Sequence, residues 1–290
     1  MITVIDSPCG AGKTTWAIKY MNEHLEDKFI YVTPFLSEVD RLQNSIEQDC
    51  VTPKNIRGNK RDNFKELVKY GHHVIVTTHA LLKGLSIEVA KIINNMGYTL
   101  ILDESLEVIS ISEVASKDIN MLYTCEYIDI EKDGKVTVLN NFTDSSLKPI
   151  VYNQCINGRV YCKEYVGKEN GKEYNVFEVF PPKLFTCFNN VYLLTYLVDY
   201  QIISKYFMLY DIEYTKMSVV NGELRHFGKA GIDNNLIELY TSKSAEEIGF
   251  QKYELTDSWY DRKDNEELIK SLHGSMRYFA TSNKAKNNIS

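Results

Sequence analysis

Apolar residues follow two rhythms along this chain, and the first alternates a short solid run with a helical stripe. Ile2-Thr3-Val4-Ile5 is a β-branched run, and after a glycine-rich turn the segment Lys13 to Leu25 carries Trp16, Ala17, Tyr20 and Met21 at helical spacing. The pairing recurs. Phe29 to Thr33 predicts a second buried strand, and Pro34 opens a helix with Val39, Leu42 and Ile46 on one face. His73 to Thr77 predicts a third strand, Leu85 to Asn95 a helix, and Tyr98 to Asp103 a largely aliphatic strand that runs into two acids, Asp103 and Glu104. Runs this apolar, separated by helices, predict a mostly parallel sheet covered on both faces, because a strand buried on both sides has no polar face to show.

The second rhythm begins near Tyr127. Tyr127 to Ile130, a tight turn at Asp133-Gly134, and Val136 to Val138 alternate like a hairpin. A second such pattern spans Arg159 to Phe180, with turns at Asn157-Gly158 and Asn170-Gly171. Residues 127–180 are therefore read as a β-rich insertion. After Pro181-Pro182 the α/β rhythm resumes, with a strand at Val191 to Thr195, a helix at Tyr200 to Tyr210, and strands near Tyr214 to Val220 and Leu236 to Tyr240. A last helix is predicted over Asn265 to Phe279, with Asp264 as N-cap and Glu267 three residues on. The expected organisation is a core over 1–126, the insertion over 127–180, the core's continuation over 181–245 and a helical extension over 246–290.

Composition changes this picture little. At 44% hydrophobic and 25% charged, the chain can bury an ordinary core. A net charge of -6 argues against coating nucleic acid through overall charge, which leaves a local basic groove as the alternative. Six cysteines without a C-x-x-C pair suggest reduced thiols in a cytoplasm, neither a zinc ribbon nor a disulfide framework. Met1 leads directly into the first strand, so no cleaved signal segment is expected. The most apolar stretch, Val191 to Tyr210, is broken by Asp199 and Lys205, and no membrane span or membrane partner is expected.

The chemistry concentrates in Ser7-Pro8-Cys9-Gly10-Ala11-Gly12-Lys13-Thr14-Thr15. Glycines let a backbone fold closely around phosphates with its N–H groups inward, and the helix that follows adds its positive end. The pattern is that of a P-loop, with Ser7 where the first glycine usually stands. Lys13 is the expected bridge to the β and γ phosphates of ATP, and Thr14 the expected Mg2+ ligand. Asp103 is expected to hold the same Mg2+ through water and Glu104 to polarise the attacking water. A helix N-cap is the plain alternative for this acidic pair. His72, His73 and His79 lack metal-ligand spacing and are read as structural. Lys54, Arg57, Lys60 and Arg61 are read as a solvated loop, with phosphate contact as the alternative.

Together these motifs resemble the first RecA-like motor lobe of DEAD/DEAH-box-like superfamily 2 helicases, including phage helicase-like proteins. The resemblance covers residues 2 to 110 well and 190 to 215 loosely. Ser7 at the head of the loop fits that family. Tyr31-Val32-Thr33-Pro34-Phe35-Leu36 looks like its next motif, which implies that Thr33 and Pro34 contact the nucleic-acid backbone. Val74 to Leu82, with Thr77 and Thr78, is similar to a later motif facing the bound strand. Leu193-Leu194-Thr195-Tyr196 looks like the motif that couples hydrolysis to movement, with Thr195 in the coupling role. Asp103-Glu104-Ser105-Leu106 matches the D-E-x-x box in its first two positions only. No arginine-bearing segment typical of a second lobe follows residue 215, which implies an incomplete motor whose second lobe comes in trans. The resemblance implies an α/β fold of the P-loop NTPase type, mostly parallel with helices on both faces and a β-rich insertion. It further implies ATP and Mg2+ as cofactors, nucleic acid, DNA or RNA, as partner, and a cytoplasmic location. The alternatives are a P-loop small-molecule kinase, disfavoured by the lack of an arginine-rich lid, and a nucleotide-gated binding module with little turnover.

Overall fold

The computed structural model describes residues 1–55, 59–112, 114–141, 151–166, 172–227 and 257–281. The chain divides into two units, Met1–Ala230 and Gly231–Ser290. In the first, the solid apolar runs become strands β1 (Ile2–Asp6), β2 (Phe29–Thr33), β3 (Cys50–Val51), β4 (Val74–Thr78) and β5 (Thr99–Asp103). Helix α1 (Lys13–Glu23) follows β1, α2 (Leu36–Ser45) follows β2, α3 (Lys60–Tyr70) follows β3, and α4 (His79–Lys83) and α5 (Ile87–Met96) lie between β4 and β5. The chain then leaves the sheet through β6 (Ile109–Ile111), α6 (Ser116–Thr124), β7 (Ile128–Ile130), β8 (Val136–Val138), α7 (Asn153–Ile156), β9 (Val160–Val166) and β10 (Lys172–Val179). It returns by α8 (Lys183–Thr186) to β11 (Val191–Thr195), α9 (Ile202–Leu209), β12 (Tyr214–Val220) and β13 (Glu223–His226). The second unit holds a short helix, Asp257–Tyr260, and a long one, Glu266–Thr281.

Among the described residues the large sheet has the order β13-β12-β1-β11-β5-β2-β4-β3. Every pairing in it is parallel except that of β12 with the edge strand β13. This is an α/β architecture with a mostly parallel central sheet, as the apolar runs predict. Its two faces bury separate cores. Val4, Ile30, Val32, Leu100, Leu102 and Leu193 point to one. Ile5, Tyr31, Ile101 and Leu194 point to the other, where they meet Trp16, Ala17, Met21, Val39 and Leu42 from α1 and α2. Alternate residues of each strand thus feed alternate cores.

Register fixes what the site inherits. Asp6 pairs with Thr195, Leu194 with Asp103, Val32 with Leu102, and Thr33 with Thr78. The carboxyl ends of five adjacent strands therefore finish on one rim. The strand β11, more than 80 residues later in sequence than β5, lies between β1 and β5.

Residues 60–70, whose first two belong to the basic segment read as a loop, form helix α3 instead. Asn59 accepts hydrogen bonds from the Arg61 and Asp62 N–H groups, Phe64 and Val68 are buried one turn apart, and Gly71 closes the helix at φ 75°. Arg57 lies outside the described residues, as do the Asn170-Gly171 turn and the strand expected at Leu236 to Tyr240.

The smaller sheet, β6-β10-β9, is antiparallel, and β7 and β8 form the expected hairpin. It recruits β6 from ahead of residue 127. The hairpin's Gly134, at φ 89°, presses on β9 so closely that a Cβ would sit 2.5 Å from the Cys162 carbonyl oxygen. Only glycine fits there. Among the described residues no helix is long and apolar enough to cross a membrane.

Candidate functional site

The rim is built around the turn between β1 and α1. Gly10 and Gly12 adopt φ 78° and 86°, the left-handed region that glycine enters without strain, and a Cβ on either meets nothing within 4 Å. The turn therefore has an open face. Helix α1 has no side-chain cap and no acidic residue in its first turn, so its leading N–H groups and dipole are not neutralised from within the helix. The Lys13 ammonium folds back and donates to the carbonyl oxygens of Ser7 at 2.7 Å and Pro8 at 3.0 Å. Cys9 and Thr15 are exposed, and Pro8 and Ala11 half-buried.

Ser7 stands where the first glycine of such a turn is usual, and its hydroxyl has its own task. It accepts the Val219 N–H at 2.9 Å, while the Ser7 N–H donates to the Thr195 carbonyl at 3.0 Å. The residue is buried. It ties β1 to both flanking strands at the point where the turn departs. Asp6, next to it, accepts the N–H groups of Leu197 at 2.7 Å and Val198 at 3.1 Å, which pins a backbone that is left-handed at Leu197, φ 57°.

Across the rim, the Thr14 hydroxyl donates to Asp103 Oδ2 at 3.4 Å, and the Tyr31 hydroxyl donates to the same oxygen at 2.7 Å. Burial first, then the Asp103 charge and its hydrogen bond, hold the Tyr31 hydroxyl well above its ordinary pKa, so Tyr31 acts here as a fixed donor. The Asp103 backbone carbonyl lies 2.8 Å from His79 Nε2. Burial, the largest influence on His79, lowers its pKa from the ordinary 6.5, opposed by the Asp103 carbonyl and the charges of Glu104 and Asp103. Glu104 is exposed, is left-handed at φ 64°, and donates its N–H to the Leu194 carbonyl at 2.9 Å. A non-glycine residue held there stores strain at the rim, of order 1–3 kcal/mol.

The structure thus brings Thr14, next to Lys13 at the start of α1, to Asp103 and its neighbour Glu104 at the end of β5, with one strand between β1 and β5. Thr195 ends the intervening strand, buried, with its hydroxyl bonded to Gln201. The other expected contact residues divide. Thr33 and Thr77 are buried, the Thr33 hydroxyl having no hydrogen-bond partner, whereas Pro34 and Thr78 are half-exposed. Sequence reasoning missed Tyr31 and His79. Tyr31, inside the apolar run Phe29 to Val32, was the available signal, since a buried phenol must find a partner. For His79 the signal was its place directly after a strand end. Among the described residues no three His, Cys, Asp or Glu side chains gather around one point. Thr14 and Asp103 are the hard oxygen donors that could hold a cation at this rim.

The fold and rim together define an α/β protein with a mostly parallel sheet, whose glycine turn and helix start face an acidic strand end. No protein-family model matches the chain. It is 31% identical over 282 residues to the SPbeta prophage-derived uncharacterized protein YonV of Bacillus subtilis (strain 168), a match covering 90% of this chain and 67% of that protein. The chain belongs to the same family as that prophage protein.

Proposed function

We propose that the chain is a P-loop NTPase, a RecA-like motor lobe that binds and hydrolyses ATP with Mg2+, acts on nucleic acid, and works with a second lobe supplied in trans. One observation carries the reading: the Thr14 hydroxyl at the start of α1 reaches Asp103, two strands away in the sheet, at 3.4 Å. A glycine turn alone is a turn. A glycine turn facing a carboxylate across one intervening strand is suited to a phosphate chain on one side and its cation on the other.

The residues present fit the ligands. The open face of Gly10 and Gly12 admits a backbone-bound phosphate, and Thr14 and Asp103 are hard oxygen donors of the kind Mg2+ prefers. When bound, Mg2+ neutralises charge on the phosphate oxygens. Lys13 turns from the Ser7 and Pro8 carbonyls towards the terminal phosphates. Tyr31 and His79 hold Asp103 in place through its side chain and its carbonyl. Glu104 polarises the attacking water, and Thr195, on the strand between the two lips, couples the phosphate end to the remainder of the sheet. Pro34 and Thr78, the half-exposed members of their motifs, supply the contacts to the strand. The prophage origin in the relative's name suits a phage-type helicase-like protein at work in a host cytoplasm.

The test is calorimetry with Mg-ATP followed by ATPase assays with and without single-stranded and duplex nucleic acid. Binding and stimulated turnover are expected. Glu104→Gln is expected to retain ATP and lose about a hundredfold or more in turnover, as loss of a general base does. No heat with Mg-ATP overturns the reading as a whole, and unchanged turnover in Glu104→Gln removes the water-polarising role from that residue.

A further inference from the structure

A second concentration of charge lies where the helices of the large sheet meet the small antiparallel sheet. A cavity of about 180 Å³ is lined there by Arg61 from the first turn of α3, Lys83 and Gly84 from the end of α4, Arg159 from the turn before β9, and the carboxylates Glu107 and Glu178. Three cations face two carboxylates, a local surplus of positive charge in a chain whose net charge is -6. Helix α4 links this cavity to the rim. His79, at its start, touches Asp103, and Lys83 is four residues along, roughly 6 Å at the helical rise.

Arg159 is the most unusual member. It is 7% exposed, donates through Nη2 to the Leu85 carbonyl at 2.6 Å, and lies with Cζ 5.9 Å from the centre of the Phe180 ring. Among the described residues it has no carboxylate at ion-pair distance. Burial lowers its pKa to about 10, with Glu178 opposing the shift and Arg61 adding to it. A buried guanidinium without an ion-pair partner is costly, and an anion entering the cavity offsets that cost. Lys83 is already paired with Glu107 at 2.5 Å, which leaves Arg61 and Arg159 as the lining cations without a carboxylate partner among the described residues.

Gly84 gives the second line of argument. Its φ of -89° is open to any residue, so backbone conformation does not call for glycine. Space does. A Cβ at Gly84 would stand 2.5 Å from Arg61 Nε and 2.6 Å from Nη2. The bare backbone lets the Arg61 guanidinium lie against the end of α4, on the same cavity as Arg159.

We propose that this cavity is a phosphate subsite that receives one backbone phosphate of a nucleic-acid strand, gripped by Arg61 and Arg159. This rests on the nucleic-acid reading above and deepens it. Guanidinium groups suit the task because their planar forks match phosphate oxygens two at a time. The small sheet contributes Arg159 and the large sheet's helices contribute Arg61, so the strand is held by both parts of the first unit.

The test compares the intact chain with Arg61→Gln and Gly84→Ala, using fluorescence anisotropy of a labelled oligothymidylate and oligouridylate between 50 and 200 mM salt, with Mg-ATP calorimetry as control. Arg61→Gln is expected to weaken strand binding and to lower the salt slope by about 0.7, the loss of one single-strand phosphate contact. Gly84→Ala is expected to weaken binding in the same direction with no change in formal charge, because it displaces Arg61. Both are expected to bind Mg-ATP as the parent does. Arg61 is exposed and Gly84 half-exposed, so both variants are expected to fold, with thermal melts as the check. If the parent binds the oligonucleotides and both variants do so with the parent's affinity and slope, the subsite is overturned and the nucleic-acid reading stands. If the parent binds neither oligonucleotide, both fall. Heat from inorganic phosphate that Arg61→Gln abolishes, with an unchanged oligonucleotide slope, assigns the cavity to a free anion and overturns the strand assignment.

Discussion

The eight-stranded and three-stranded sheets of the first unit are built on different patterns and serve opposite uses. In the large sheet β1 and β2 are buried along their whole length, and β4 and β5 in all but their final residue. In β9 of the small sheet burial alternates for three residues and then stops, leaving Val166 74% exposed. A sheet covered on both faces has no side chain to spare for a ligand, so its chemistry is pushed to the strand ends, where the backbone turns and charges collect. A sheet covered on one face keeps a row of side chains for contact. The difference teaches where substitutions should matter: along the strands of the large sheet for stability, at its rim for chemistry.

The largest expected effect probes the strands. Leu100→Ala removes a fully buried side chain from β5 and should cost about 2–5 kcal/mol in urea denaturation, whereas Val166→Thr on β9 should stay within about 0.5 kcal/mol. Similar losses at the two positions would erase the contrast. Next comes the rim, where Lys13→Ala should leave the melting temperature nearly unchanged and weaken Mg-ATP binding at least about a hundredfold, or about 2.8 kcal/mol. Tight binding by this variant would show that the rim does not depend on its lysine.

Smaller effects sharpen the picture within the rim. Tyr31→Phe deletes the donor to Asp103 Oδ2 and should lower stability by about 0.5–1.5 kcal/mol, with a larger proportional loss in metal-dependent ATP binding than in metal-free binding. Equal losses in the two would reduce Tyr31 to a packing residue. The smallest effect is a pH slope from His79. Its folded pKa lies below 6.5, so between that folded value and 6.5 the unfolded chain binds more protons, and stability should fall as pH drops through this window. His79→Gln should flatten that part of the melting profile relative to the parent. An identical slope in both proteins would remove His79 from the account.

Much of the fold was legible because double-sided burial writes itself as solid apolar runs. Phe29 to Thr33, Val191 to Thr195 and Tyr214 to Val220 coincide with β2, β11 and β12, and β1, β4 and β5 fall within a residue of expectation, whereas the two-residue β3 was not expected. The turn at Ser7 to Thr15 and the acids at 103 and 104 were legible as local patterns. What joins them was not. Nothing in the order of the chain says that β11 slots between β1 and β5, or that β2 lies beside β5 and so hands Tyr31 to Asp103. Helix α3 was hidden because Lys60 and Arg61 head it, and its buried face rests on Phe64 and Val68, too few positions to register as a stripe. The Arg61 and Arg159 pairing is beyond any local reading, since 98 residues separate two side chains that line one cavity.

The posture of Lys13 has a consequence for selectivity. Its ammonium is already stitched to the carbonyls of Ser7 and Pro8, so an arriving anion does not meet a bare charge. It must outbid two acceptors held in place by the same loop, and the gain from capture is the difference between two sets of hydrogen bonds. Anions presenting a single weak acceptor leave the stitch intact. On the proposed reading the turn would therefore set a threshold, favouring ligands rich in clustered oxygens over monovalent anions.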